Sequence, residues 1–183
     1  MKIISGEFKG KVIKGYDICG TRPTMDRVKE SLFGTIQNYV ANSIVLDLFA
    51  GTGNLGFESL SNRAKFCYFN DSNIKCTKLI KNISDSLNIS TKCMILNMNY
   101  KTALKYFVNN NIKFNIIFLD PPYKMEVLNE IIKFIKENDL IENNGLIVCE
   151  VDNLYLDINY FEKIKEKKYG SKYIVIYKNS LIN

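Results

Sequence analysis

Residues 120–123 read Asp-Pro-Pro-Tyr and follow directly on the apolar run Ile116-Ile117-Phe118-Leu119. An acid delivered by a strand end can accept a hydrogen bond from an exocyclic amine whose lone pair is otherwise delocalised into its ring. Pro121 and Pro122 hold the chain extended, so the Pro121 carbonyl can take the amine's other N–H. Tyr123 can then stack on the base. Two acceptors gripping both protons of a planar amine favour a more tetrahedral nitrogen, its lone pair free for in-line displacement. Such catalysis works by positioning and electrostatics, not by a strong base. The plain alternative is that the prolines only stop a strand and that the acid at its end is solvated.

A second constellation, V-L-D-L-F-A-G-T-G-N-L-G at 45–56, contains G-x-G-x-x-G in Gly51, Gly53 and Gly56. Glycines let backbone approach a ligand closely and open the next helix with free N–H groups. Alone the pattern is weak. Asp71, at the end of the next apolar run, is placed to accept from ribose hydroxyls, so a dinucleotide would also fit. Asp47 separates the two cofactors. A carboxylate just before the glycine turn suits the ammonium of S-adenosylmethionine and would repel the pyrophosphate of NAD. Its alternative role is to satisfy the amides of the turn.

The elements that must carry these residues follow from periodicity. Short apolar runs at 43–48, 66–70, 93–97, 115–120 and 145–150 alternate with segments of helix length. Their continuous apolar character is that of parallel strands covered on both faces, which predicts an open, doubly wound, mostly parallel α/β sheet. Residues 173–177, Y-I-V-I-Y, are expected to enter as an antiparallel last strand. Val28, Leu32, Phe33, Ile36 and Val40 predict a helix entered from Thr24, with Asp26 at its positive end. A short hairpin is expected within 2–14, centred on G-E-F-K-G. The chain is expected to be one domain over 1–183, a hairpin extension at 1–20 preceding a catalytic core at 21–183. In such sheets ligands lie beyond the carboxyl ends of the strands.

Composition removes several classes. With no histidine among 183 residues, Ser-His and Cys-His nucleophilic mechanisms are excluded, and no metal site is expected. The five cysteines contain no C-x-x-C pair and read as reduced packing residues. No signal-like leader and no membrane-length apolar run is evident, so a cytoplasmic protein without membrane contact is expected. The net charge of +6 favours a polyanionic partner if the cations gather. Lys9, Lys11, Arg22 and Arg27 near the amino end form one candidate RNA-binding group, and E-K-I-K-E-K-K-Y-G-S-K at 162–172 is another basic run. The plain reading of both is a solvated face.

The order V-L-D-L-F-A-G-T-G then N-I-I-F-L-D-P-P-Y resembles the class I amino-methyltransferases dependent on S-adenosylmethionine. M-K-I-I-S-G-E-F-K-G-K and T-R-P-T-M-D-R-V-K-E-S-L-F are similar to the RsmD family, which methylates guanine N2 in bacterial 16S ribosomal RNA. The resemblance implies a seven-stranded Rossmann-like methyltransferase sheet. It implies that Asp47, Phe49, Ala50, Gly51 and Gly53 line the methionine part of the cofactor, and that Asp120, Pro121 and Tyr123, with Pro122 beside them, hold the guanine. Arg22 and Thr24 would lie near cofactor or RNA, Thr24 otherwise serving as a helix cap. Asn99 would read the adenine edge or else form a turn. One position departs from the family: Asn70 stands where a ribose-binding glutamate is usual, leaving Asp71 one residue late, and a one-residue step in a strand reverses the side chain. The implied partner is 16S ribosomal RNA, within a small subunit or its assembly intermediate, and the expected state is a monomer. Competing readings are an adenine-N6 methyltransferase acting on DNA or RNA, a non-catalytic RNA-binding assembly factor, and a dinucleotide oxidoreductase.

Overall fold

The computed structural model describes residues 2–13, 26–121, 126–152 and 158–180. Its centre is one seven-stranded sheet in the order β3-β2-β1-β4-β5-β7-β6. The strands are β1 (Ile44–Asp47), β2 (Phe66–Asn70), β3 (Cys93–Leu96), β4 (Phe114–Leu119), β5 (Ile141–Val151), β6 (Glu162–Tyr169) and β7 (Lys172–Lys178). Strands β1 to β5 pair in parallel, and β7 lies antiparallel to both β5 and β6. Strand order reverses between β1 and β4, the place where a ligand crevice opens in a doubly wound sheet.

Two apolar layers cover the sheet. Helices α1 (Asp26–Val40), α2 (Asn54–Ser61) and α3 (Ile74–Ser86) pack over Val45, Phe69, Ile116, Phe118, Leu146, Val148, Ile174 and Ile176. On the other face α4 (Tyr100–Asn109) and α5 (Glu126–Glu137) cover Leu46, Ile117, Leu119, Ile147, Cys149 and Val175. Successive residues of β4 thus serve opposite layers, which is why its apolar run is unbroken. Asparagine ends several helices: Asn42, Asn88 and Asn111 adopt φ of 62°, 55° and 53° just past α1, α3 and α4. This left-handed stop is one that asparagine tolerates well.

The amino-terminal excursion is smaller than a full hairpin. One antiparallel bridge, Lys2 to Val12, closes it, with Ile3 N donating to Lys11 O at 3.0 Å and Gly10 N to Ile3 O at 2.8 Å. It is fastened to the core by polar contacts. The Glu58 carboxylate on α2 accepts from Ile4 N, Ser5 N, Ser5 Oγ and, at 3.3 Å, Lys29 Nζ, while Lys29 also donates to the Lys2 carbonyl. Both charged side chains are fully buried. Gly6 has φ of 75°, and a Cβ there would lie 1.9 Å from the Ser61 carbonyl oxygen.

The sequence expectation is corrected at β6. The E-K-I-K-E-K-K-Y stretch, read as a basic run ahead of the last strand, is itself the edge strand, joined to β7 by a Gly170-Ser171 turn. It has no apolar alternation because nearly all of it is exposed. No described helix is long and apolar enough to cross a membrane.

Candidate active site at the carboxyl edge of the sheet

Strand β1 ends in Asp47, whose backbone is in register with Phe118 of β4. Asp120 is the first residue past the end of β4, two beyond Phe118, and its carboxylate lies close enough to Asp47 to repel it. The glycine turn follows Asp47 directly. Gly51 and Gly53 take positive φ, 51° and 76°. A Cβ on Gly53 would meet the Phe57 ring at 2.7 Å. Gly53 N donates to Ala50 O, and Ala50 N to Asn70 O, tying the turn to the end of β2. Gly53 occupies the α2 cap position without a side-chain cap, which leaves the helix entrance to backbone groups.

Asp47 is buried and accepts from the Gly56 amide at 3.1 Å. Burial pushes its carboxyl up to about 7; the Gly56 amide opposes this, and Asp120 and Asp71 add repulsion. Asp120 is likewise pushed up to about 7, first by desolvation and then by Glu150, with Lys172 acting the other way and Asp152 adding to the rise. Lys172 Nζ lies 2.5 Å from Glu150 Oε1 and 4.0 Å from Asp120 Oδ1, so an acid–base–acid row crosses from β5 and β7 to the end of β4. Asp47, Asp71 and Asp120 form an acidic rim whose two outer members repel its buried centre. A cation set among them would relieve that repulsion.

The Asn70–Asp71 question resolves into two structural tasks. Asn70 is buried, and its Nδ2 donates at 3.1 Å to the carbonyls of Leu48 and Met98, joining the ends of β1 and β3. Its Oδ1 is buried without a hydrogen-bond partner. Asp71 Oδ2 accepts from Gly51 N and Oδ1 from Asn73 N, both at 2.8 Å. Its half-buried carboxylate therefore shapes the glycine turn from outside the strand. Asn99 caps α4, with Oδ1 accepting from Thr102 N at 3.0 Å. Phe49 packs against Tyr100 with ring centroids 5.7 Å apart, walling the crevice on the α4 side.

The structure thus brings Asp47, Phe49, Ala50, Gly51, Gly53, Asn70, Asp71, Asn99, Asp120 and Pro121 to one edge. Pro122, Tyr123, Arg22 and Thr24 lie outside the described residues. Lys9 and Lys11 are exposed on the amino-terminal turn, and Arg27 is exposed in the first turn of α1. Sequence reasoning missed Glu150 and Lys172. No local pattern marks them, since only the β5–β7 pairing brings them together. It also missed Lys29 and Glu58, although a lysine inside the apolar stripe of α1 was a visible signal.

The residues present suit a cationic nucleoside ligand. Glycines with positive φ admit its backbone contacts, the acidic rim matches a positive centre, and the Asn70 oxygen offers an acceptor that no described residue satisfies.

Residues 1–178 match the family model described as Conserved hypothetical protein 95. The chain is 35% identical over 181 residues to YlbH of Bacillus subtilis, covering 97% of this chain and 98% of that one. It is 33% identical over 182 residues to the Ribosomal RNA small subunit methyltransferase D of Haemophilus influenzae, covering 98% and 94%. Among solved structures, HI0767 from Haemophilus influenzae superposes with a TM-score of 0.79 at 30% identity, and 98% of each chain is covered.

Proposed function

Because this chain belongs to the RsmD family of ribosomal RNA methyltransferases, the family described as Conserved hypothetical protein 95, we propose that it methylates the exocyclic N2 of one guanine in 16S ribosomal RNA, with S-adenosylmethionine as donor. The observation that carries this reading is Asp120, followed by Pro121, two residues past the register partner of Asp47 and near enough for the two carboxylates to repel. One acid serves the donor and the other the acceptor.

S-adenosylmethionine would supply an electrophilic methyl group on a sulfonium. Asp47 would hold the donor's ammonium directly or through water, and the Gly51–Gly53 turn would admit its methionine part beside Phe49 and Ala50. Asp71 holds that turn and presents its carboxylate to the ribose, while the unpartnered Asn70 oxygen takes a second polar group of the nucleoside. Asn99 serves the adenine side as the cap that fixes the start of α4. Asp120 accepts one hydrogen bond from the guanine amine and the Pro121 carbonyl the other, and Tyr123 stacks on the base, with Pro122 between them in sequence. The amine loses its proton after it has gained the methyl, when it is acidic enough that Asp120 or water can take it. Arg22, Thr24 and Arg27 contact RNA or cofactor, and Lys9 and Lys11, on the turn held by Ser61 at the far end of α2, contact RNA away from this edge.

The chain acts as one catalytic unit over residues 1–183, as a cytoplasmic monomer, on a small ribosomal subunit or its assembly intermediate. The test is mass mapping of modified nucleosides in small-subunit RNA from cells with and without the gene. Loss of a single N2-methylguanosine is expected. Intact guanine methylation with loss of an N6-methyladenosine would select the adenine reading instead.

A further inference from the structure

Strand β6 sets two lysines and one glutamate on each face, and on the α1 face the glutamate, Glu162 opposite Lys178, starts the strand at the end away from Tyr169. Residues directly opposed in an antiparallel pair share a face. Lys165 opposes Ile176, Lys167 opposes Ile174 and Tyr169 opposes Lys172, and both isoleucines belong to the α1 layer. Glu166 and Lys168 oppose Val175 and Tyr173, which belong to the α5 layer, as does Tyr177, opposite Lys163. The acid of the strand's middle is thus on the α5 side, paired with Lys163 at 2.7 Å. On the α1 side, Lys165 and Lys167 are exposed and, among the described residues, neither is ion-paired with an acid.

This face runs into the site. Tyr169 is half-buried against the α1 layer, and its hydroxyl, like Lys167 Nζ, donates to Ser31 Oγ on α1, at 2.5 and 3.1 Å. Arg27, one turn before Ser31, is exposed on the same side of the helix. Lys172, opposite Tyr169, ends the row 4.0 Å from Asp120.

We propose that the α1-side face of the β6–β7 hairpin, formed by Lys165, Lys167 and Tyr169 with Arg27 beside them, is the docking track for the ribosomal RNA strand that flanks the target nucleotide. The assignment rests on the reading of Asp120 as the acceptor site. Two lysines without an acid partner among the described residues, two residues apart and about 6.6 Å along the strand, suit successive phosphates of an irregular strand, and long flexible side chains absorb mismatch. Tyr169 sits between the lysines and the reacting edge, where a neighbouring base or ribose would pass. Lysines on an edge strand also deter strand pairing, but that role has no preference for one face.

The test uses two double variants of the full chain with equal loss of charge: Lys165→Gln with Lys167→Gln on the track, and Lys163→Gln with Lys168→Gln on the opposite face. Binding to unmethylated small subunits is measured against salt, alongside methyl transfer and thermal unfolding. The track variant should bind about tenfold more weakly, with a salt slope reduced by roughly 1.4, and should raise KM while sparing kcat. The opposite-face variant should shift binding less than about twofold. Equal losses from both variants would overturn the proposal, and so would aggregation without a change in RNA binding. Asymmetric binding by a protein that transfers no methyl would support the docking track and defeat the reading of the reaction.

Discussion

Asp47 and Asp120 are both raised, chiefly by burial, to about 7, and each has a measurable consequence. Between about pH 4 and pH 7 the folded protein keeps protons that the unfolded chain has lost, so stability falls as pH rises through that window. Asp47→Asn removes the buried charge while keeping the shape. At pH 8 the variant should melt a few degrees higher than the parent and bind S-adenosylmethionine at least tenfold more weakly. Calorimetry and a scanning melt on one preparation check both. For Asp120 the charged form is the acceptor, so methyl transfer should rise with pH through about 7. The groups facing it are Glu150, Lys172, Asp152 and Asp47. Lys172→Met should move the midpoint of the rate profile to higher pH, Lys172→Arg should restore it, and Glu150→Gln should move it lower. A midpoint unmoved in all three would show that Asp120 does not set the profile.

At the scale of elements, the site depends on how closely α2 lies on β2. A Cβ on Gly56 would come within 2.1 Å of the Phe69 ring and 2.8 Å of Cys67 Sγ, so the helix entrance cannot accept one without moving. Gly56→Ala should therefore lose on the order of 1–3 kcal/mol in a denaturant titration and weaken donor binding as well, since Gly56 N is the amide that Asp47 holds. Unchanged stability would mean that α2 shifts freely. Most elements were legible because their apolar runs carry the period of the layer they serve: the 66–70 run is the whole of β2, and Val28, Leu32, Phe33 and Ile36 are the buried stripe of α1. Strand β6 was not, because an exposed edge carries no apolar alternation and its lysines read equally well as a loop. The Asn70–Asp71 ambiguity could not be settled by counting either. Asn70 ends the strand and Asp71 leaves it, so each finds a different partner.

For the whole molecule, the amino-terminal segment is joined to the rest by the buried Ile3 and Ile13 and by a buried charge, with no ladder of strands among the described residues. Ser5 and Glu58, 53 residues apart, meet at 2.8 Å, and the same carboxylate holds the fully buried Lys29. Removing Glu58 would leave the buried Lys29 with only the Lys2 carbonyl and the exposed Asp26, 3.6 Å away. Glu58→Gln should cost about 3–5 kcal/mol and speed hydrogen exchange at Ile4 and Ser5 before the sheet exchanges. Normal protection at those amides would show that the segment is held by its apolar contacts alone. The sequence motif at residues 1–11 was visible as a family signature, but its physical reason required the fold. It supplies the amides and hydroxyl that make a buried glutamate tenable.

The central claim is that the carboxylate of Asp120 grips the accepting amine. Single-turnover transfer from labelled S-adenosylmethionine to unmethylated small subunits, comparing the parent chain with Asp120→Asn at saturating donor, tests it most directly. The expected result is a rate reduced by about 10²–10³ with donor affinity within a few-fold of the parent. A variant that transfers methyl at the parent rate, or that loses transfer only because it no longer binds the donor, would contradict it.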